Sequence, residues 1–186
     1  NARLRRVIGD VLDLTRMEHG EFPMAVREVE LRELLERVLP EIQTACQKKG
    51  LSCSRSGEEK VRLAVDPEQA GRMLAAVLHN AVQYTERGGI TVSYTERGTQ
   101  VVVTVQDTGV GIPDDQLSHV FAKPKLGTLL HGKGISLCLA RQLAKRMGAE
   151  VVLVSSELTR GSTFALTFPK PSVVKKPEGQ HAAVAA

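Results

Sequence analysis

The 186-residue chain has no tryptophan, only four phenylalanines and two tyrosines. Its core must therefore be built from Leu, Val, Ile and Ala. A surface of aromatics interleaved with basic residues, of the kind that stacks bases, is not on offer. Cysteine is scarce as well. Cys46, Cys53 and Cys138 form no Cys-x-x-Cys and no ligand spacing with any His, and an odd count without a framework fits reduced thiols in a cytoplasmic setting. No apolar run nears the ~18 residues of a membrane span, and no signal peptide opens the chain. Strong charge of one sign is missing too. The formal net charge is +4, with Lys and Arg interspersed among Asp and Glu. That reads as solubility plus a local anion site, with no nucleic acid as partner.

The length suits one ordinary domain with an appendage. Residues 1–22 carry apolar positions at Leu4, Val7, Ile8, Val11, Leu12 and Leu14, a helical stripe that needs a partner helix. The chain starts inside this pattern, which reads as a piece of a longer protein. Met24–Leu31 alternates as a strand. Leu31–Lys49 is amphipathic and should be a helix, with Pro40 expected to disturb it. Short strands are expected around Leu51–Ser54 and Val61–Val65.

Asp66-Pro67 is a strong helix start, an N-cap followed by proline at the first helical position, and that helix should reach Tyr84. Ile90–Tyr94 and Gln100–Gln106 read as a hairpin turned at Arg97-Gly98. A short helix over Asp114–Phe121, a basic glycine-containing loop and a helix over Gly134–Met147 follow. Ala149–Ser156 and Ser162–Phe168 form a closing hairpin. Residues 170–186 lack periodicity and read as a disordered tail. The fold class is α+β, a two-layer sandwich with a mixed sheet covered by helices on one face.

Four stretches carry chemistry. The first is Asn80, late in the helix that starts at Asp66-Pro67. The second is the apolar strand Val101–Gln106 running into Asp107-Thr-Gly109-Val-Gly111-Ile112-Pro113. A carboxylate there can accept from the exocyclic amino group of a base, and glycines without Cβ let backbone approach a flat ring. The third is Gly132-Lys133-Gly134-Ile-Ser136-Leu137, which opens a helix and offers backbone N–H groups and a positive dipole end to phosphates. The fourth is Arg160-Gly161-Ser162-Thr163-Phe164. Asn80 supplies an amide oxygen suited to Mg²⁺ beside phosphate oxygens, and Lys123, Lys125 and Lys133 add positive charge.

Gly127-Thr-Leu-Leu-His-Gly132-Lys133-Gly134 is no P-loop, because Gly134 stands where Ser or Thr is needed and no strand precedes it. Gly109-Val-Gly111 fails the dinucleotide fingerprint, since Asp114 replaces the third glycine.

In order and spacing these four stretches resemble the catalytic ATP-binding domain of sensor histidine kinases, within the superfamily shared with gyrase B, Hsp90 and MutL. The resemblance covers residues 23–169. Val11-Leu-Asp-Leu-Thr-Arg-Met-Glu-His-Gly-Glu-Phe22 is similar to the end of the kinase dimerisation hairpin, so residues 1–22 are expected to be a helix from that bundle. The resemblance implies the Bergerat ATP-binding sandwich, with ATP and Mg²⁺ as ligands. It implies Asn80 as Mg²⁺ ligand and Asp107 as the adenine-recognising carboxylate. Gly109, Gly111 and Ile112 would sit beside the base and Thr163 near the adenine. Tyr84 would lie against the nucleotide, and Phe121 would be the first aromatic of the phenylalanine box. Lys123, Gly132, Lys133, Gly134, Ser136 and Leu137 would form the phosphate and lid region.

The chain departs from the family pattern at Ala76, where a polar residue is usual, and at Gln83, where Lys is usual. Pro124 stands near the missing second aromatic of the phenylalanine box, and Ser136 replaces the third lid glycine. Losing one charge-assisted contact costs ~1.5–3 kcal/mol. Hydrolytic relatives place a Glu one turn before the Mg²⁺ ligand to activate water. Ala76 cannot do this.

None of His19, His79, His119, His131 or His181 has the context of a phosphoacceptor, which is expected on an upstream helix. The reading is thus a histidine autokinase module. Its implied partners are a response regulator receiver domain and a second copy joined through the dimerisation helices. Membrane attachment would come through upstream segments alone. The alternative is a degenerate module that signals by contact.

Overall fold

A computed structural model describes residues 2–19, 22–57, 60–123 and 135–171. Helix α1 spans Ala2–Glu18, strand β1 Arg27–Glu30 and helix α2 Leu31–Lys49. Strands β2 (Ser52–Gly57) and β3 (Arg62–Val65) come next, then α3 (Pro67–Tyr84). The hairpin β4 (Gly89–Arg97) and β5 (Gln100–Asp107) follows, with the short α4 (Asp114–Leu117). Helix α5 (Ile135–Arg146) leads to the closing hairpin, β6 (Glu150–Glu157) and β7 (Gly161–Pro169).

The main sheet has the order β2-β4-β5-β7-β6. It is mixed: β2 runs parallel to β4, and every other pair is antiparallel. Strand alternation sorts its two faces. Val101, Val103 and Val105 of β5, with Phe164, Leu166 and Phe168 of β7, are buried toward the helices. Gln106 and Thr91, of opposite parity, are exposed. Helices α2, α3 and α5 cover the apolar face through Leu35, Ile42, Leu74, Leu78, Leu139 and Leu143 among others, all in one continuous core. A two-layer sandwich results, as the pattern of elements predicts.

Several boundaries differ from the sequence expectation, for visible reasons. The strand expected over Met24–Leu31 shrinks to four residues, because the Ala25 N–H donates to Asp66 Oδ2 at 2.8 Å instead of to a ladder. Strands β1 and β3 pair with each other in a separate two-stranded sheet. Helix α2 continues through Pro40. Pro40 lies on its exposed side, as does Glu36 one turn earlier, whose carbonyl loses its N–H donor there. The helix expected over Asp114–Phe121 ends at Leu117; a tighter turn follows, with the Ala122 N–H donating to His119 O.

Lys170, assigned to the tail, is instead fastened to the β4–β5 hairpin. Its N–H donates to Thr99 O at 2.9 Å and its ammonium pairs with Glu96. The rest of the expected tail, from residue 172, lies outside the described residues. Among the described residues no helix is long and apolar enough to cross a membrane.

Helix α3 is fixed at both ends. The Asp66 carboxylate accepts from the N–H groups of Glu68 (3.0 Å) and Gln69 (3.1 Å). At the other end Lys49 Nζ donates to the carbonyls of Val82 (2.7 Å), Gln83 (3.2 Å) and Thr85 (3.0 Å). A lysine from α2 thus satisfies carbonyls that a helix C-terminus leaves open. Asp66→Ala removes the cap and the bond to Ala25 together. It should cost ~1–2 kcal/mol in urea denaturation; an unchanged midpoint would contradict the capping role.

Helix α1 packs on α5. Leu14 and Met17 are buried, and the Arg146 guanidinium donates to the Met17 carbonyl. Ile8 and Leu12, on another side of α1, are exposed.

Candidate functional site

The end of β5 places Asp107 at the helix-facing side of the sheet, 5% exposed. Its Oδ1 accepts from Gly109 N–H at 2.9 Å and from Ser162 N–H at 3.2 Å. Burial raises the Asp107 pKa above its ordinary value, and these two N–H donors pull against that rise. Among the described residues Oδ2 takes no donor. A buried carboxylate with one oxygen spoken for and the other available is suited to accept from an amino group.

The loop after Asp107 is knitted to three elements. Thr108 Oγ1 accepts from Gly89 N–H at 3.0 Å and donates to Arg87 O at 3.0 Å. Val110 N–H donates to Tyr84 O at 3.1 Å, and Thr159 N–H donates to Val110 O at 2.9 Å. The C-terminus of α3, the start of β4 and the β6–β7 turn therefore converge on one loop.

The two glycines serve that convergence. A Cβ at Gly109 would come within 2.4 Å of Tyr84 O and 2.8 Å of Asp107 Oδ1. Gly111 has φ of +72°, and a Cβ there would meet Glu157 O at 2.3 Å. The missing side chains are needed by neighbouring backbone, whether or not a flat ring also approaches. Ile112, half-buried, donates its N–H to Ser156 Oγ at 2.8 Å.

Asn80 is half-buried on α3, and Tyr84, one turn on, is 40% exposed. Phe121 packs its edge against Phe164, centroids 6.2 Å apart and planes at 86°. The Arg141 guanidinium lies 5.4 Å from the Phe121 ring centre. Lys123 is exposed, Leu137 is buried in the core at the start of α5, and Ser136 beside it is half-buried. Gly132, Lys133 and Gly134, with Pro124 and Lys125, lie outside the described residues.

Thr163 does not join Asp107. It pairs with Gln106, so strand alternation turns both away from the face that carries Asp107. Its neighbour Ser162, 6% exposed, is the residue beside the carboxylate. The Ser162 hydroxyl meets Ser156 Oγ at 2.9 Å, which gives an Asp107–Ser162–Ser156 row across three strands. The signal was available: Ser162 shares parity with buried Phe164.

Of the positions that depart from the family pattern, Gln83 is exposed. Ala76 and Ser136 both line a cavity of about 180 Å³ between α1, α2, α3 and α5.

Comparison with known proteins agrees with this fold. The family model for histidine kinase-, DNA gyrase B-, and HSP90-like ATPases matches residues 65–172. The aerobic respiration control sensor protein ArcB of Escherichia coli K12 is 30% identical over 187 residues, covering 93% of this chain and 23% of its own length. The adaptive-response sensory kinase SasA of Synechococcus elongatus is 32% identical over 173 residues, covering 89% of this chain and 44% of its own. The chain thus spans less than half the length of either relative.

Among solved structures, full-length ShkA in complex with AMPPNP superposes with a TM-score of 0.77 at 24% identity, over 89% of this chain and 36% of that one. The nucleotide-free catalytic domain of the histidine kinase ThkA superposes with a TM-score of 0.70 at 24% identity, over 79% of this chain and 97% of that one. At these identities the likeness is one of fold. From the family match and the sandwich together, the chain belongs to the histidine kinase-, DNA gyrase B-, and HSP90-like ATPase family.

Proposed function

We propose that the chain is the ATP-binding catalytic module of a sensor histidine kinase, passing the γ-phosphoryl of ATP to a His on an upstream helix. The buried carboxylate of Asp107, with an oxygen open to a base's amino group, carries the reading. The adenine would lie against the Asp107–Gly109–Gly111 loop and Tyr84, with the phosphates toward Asn80 and the first turn of α5. Catalysis in phosphoryl transfer is largely positioning and charge stabilisation, and the fastened ends of α3 fit that task. Residues 1–22 would be the end of the dimerisation hairpin and residues 23–169 the catalytic domain. The partners would be a receiver domain and a second copy. The names of the relatives, a sensor protein and a sensory kinase, support this.

The chemistry of Asn80 fits Mg²⁺. It offers one neutral amide oxygen, and among the described residues no cluster of three or more His, Cys, Asp or Glu could hold an ion alone. Mg²⁺ is usually held by few protein oxygens together with substrate phosphates and water. Asn80→Asp should therefore change the magnesium dependence of nucleotide binding and leave stability nearly untouched. Superimposable metal titrations for variant and parent would remove Asn80 as ligand.

The second reading, a module that signals by contact, draws on Ala76, on Gln83 in place of the usual Lys and on Ser136 in place of the third lid glycine. Labelled ATP and a polypeptide carrying a relative's acceptor helix separate the two. Label on its His is expected; a chain that binds nucleotide and transfers none would favour contact signalling.

A further inference from the structure

Every carbonyl from Ala81 to Thr85, at the end of α3, has a donor. The last four carbonyls of a helix find no partner within it, and buried ones left alone are costly. Ala81 O accepts from Thr85 Oγ1 at 2.7 Å. Lys49 Nζ donates to Val82 O, Gln83 O and Thr85 O at 2.7, 3.2 and 3.0 Å. An ammonium carries three N–H groups, one for each of these carbonyls. Tyr84 O alone is given to the Asp107 loop, accepting from Val110 N–H at 3.1 Å.

Lys49 stands on α2, outside both elements that this last bond joins. Its root is fixed by the turn that follows. Gly50 takes φ of +68°, its N–H donates to Gln47 O at 3.1 Å, and Leu51 N–H donates to Cys46 O at 2.9 Å. The ammonium holds the carbonyls of Gln83 and Thr85, on either side of Tyr84, and so sets where Tyr84 O lies. Gly109 leaves no slack there, since a Cβ on it would come within 2.4 Å of Tyr84 O. The Gly109 N–H in turn holds Asp107 Oδ1 at 2.9 Å. Backbone packed this closely passes a shift of the α3 end on to the carboxylate. The path runs from Lys49 to Tyr84 O, then through Val110 and Gly109 to Asp107.

Resting on the nucleotide reading above, we propose that Lys49 is a positioning residue for the base end of the nucleotide site. It sets Tyr84 O, and through it the Asp107 loop, without touching the ligand. Its effect therefore belongs to the base and is the same however many phosphates follow, with or without Mg²⁺. The effect also fades once the Asp107 carboxylate is gone, because the path ends there. A charge that merely balanced the α3 dipole would be replaceable by any other cation.

The test uses the 186-residue chain with ADP and AMPPNP, read by calorimetry with and without Mg²⁺ and by amide exchange at Val110. Lys49→Met keeps the apolar stem and removes the ammonium. It should weaken both nucleotides by the same factor, ~3- to 30-fold, the range for residues acting on a site through a packed network. The gain brought by magnesium should stay as in the parent. Val110 N–H should exchange faster than in the parent, with no nucleotide present. In an Asp107→Asn background the further loss should be under ~2-fold. Ile42→Val trims a fully buried side chain of the same helix and should bind like the parent, which separates positioning from general loosening of α2. Lys49→Arg keeps the charge, and with it the fold should removal of the ammonium prove too severe. Its planar fork cannot centre on three carbonyls, so it should show a lesser loss of the same kind. Parental affinity or parental Val110 exchange in Lys49→Met, full rescue by Lys49→Arg, an equal loss in Ile42→Val, or an undiminished loss in the Asp107→Asn background would each overturn the proposal alone. A parent chain that binds neither nucleotide would overturn it together with the nucleotide reading.

Discussion

Replacing Asp107 by Asn is expected to weaken adenine-nucleotide binding by ~10- to 150-fold, the scale of a lost charge-assisted hydrogen bond in a buried site. The variant should fold as well as the parent. Asn keeps an oxygen for the N–H groups of Gly109 and Ser162, but it sets an amide NH₂ where a carboxylate oxygen should accept, donor facing donor. Stability should hold or rise, because burial lifts the Asp107 pKa above its unfolded value. A raised carboxylate pKa means that the ionised form costs stability at neutral pH, and that this cost fades as pH falls through the raised pKa.

Binding follows the opposite course. It needs the ionised form, so parental affinity should fall on acidification, starting at a higher pH than an ordinary carboxylate would give. Calorimetry across pH, paired with thermal melts, checks both signs. An Asp107→Asn chain that binds like the parent would end the base-recognition assignment.

Phe164→Ala should be the most destabilising single change in the sheet, at ~3–5 kcal/mol in urea denaturation. Phe164 has no exposed surface. It sits on β7 between its ladder partners Val105 of β5 and Leu153 of β6, and Phe121 leans its edge on the ring. Deleting the ring opens a cavity that a closed sandwich cannot collapse around. It also removes the T-shaped contact that fixes the turn after α4. Typical domains have ~5–15 kcal/mol in all, so the variant should lie near its unfolding midpoint in mild denaturant. A loss under ~1 kcal/mol, too small for such a cavity, would mean that this core is not organised around Phe164.

Local signals explain what the sequence revealed. Asp66-Pro67 marked the start of α3 because capping is a matter of three neighbouring residues, and the β4–β5 hairpin was readable from alternation and one Arg-Gly turn. Asp107 was legible because an apolar strand ends there in a lone carboxylate. What stayed hidden depends on distant partners. The bond from Ala25 N–H to Asp66 spans 41 positions and shortens β1. The pairing of Arg72 with Asp10 spans 62, and nothing in either helix foretells it. Thr163 is a different case. Strand parity with buried Phe164 points to Ser162 as the neighbour of Asp107, and the threonine next to it faces the other side of the sheet.

The most direct test of the central claim is a calorimetric titration of the parent chain with AMPPNP, with and without Mg²⁺. One saturable site whose affinity rises with magnesium is the predicted result. A folded chain that gives no saturable heat in either condition would contradict the account.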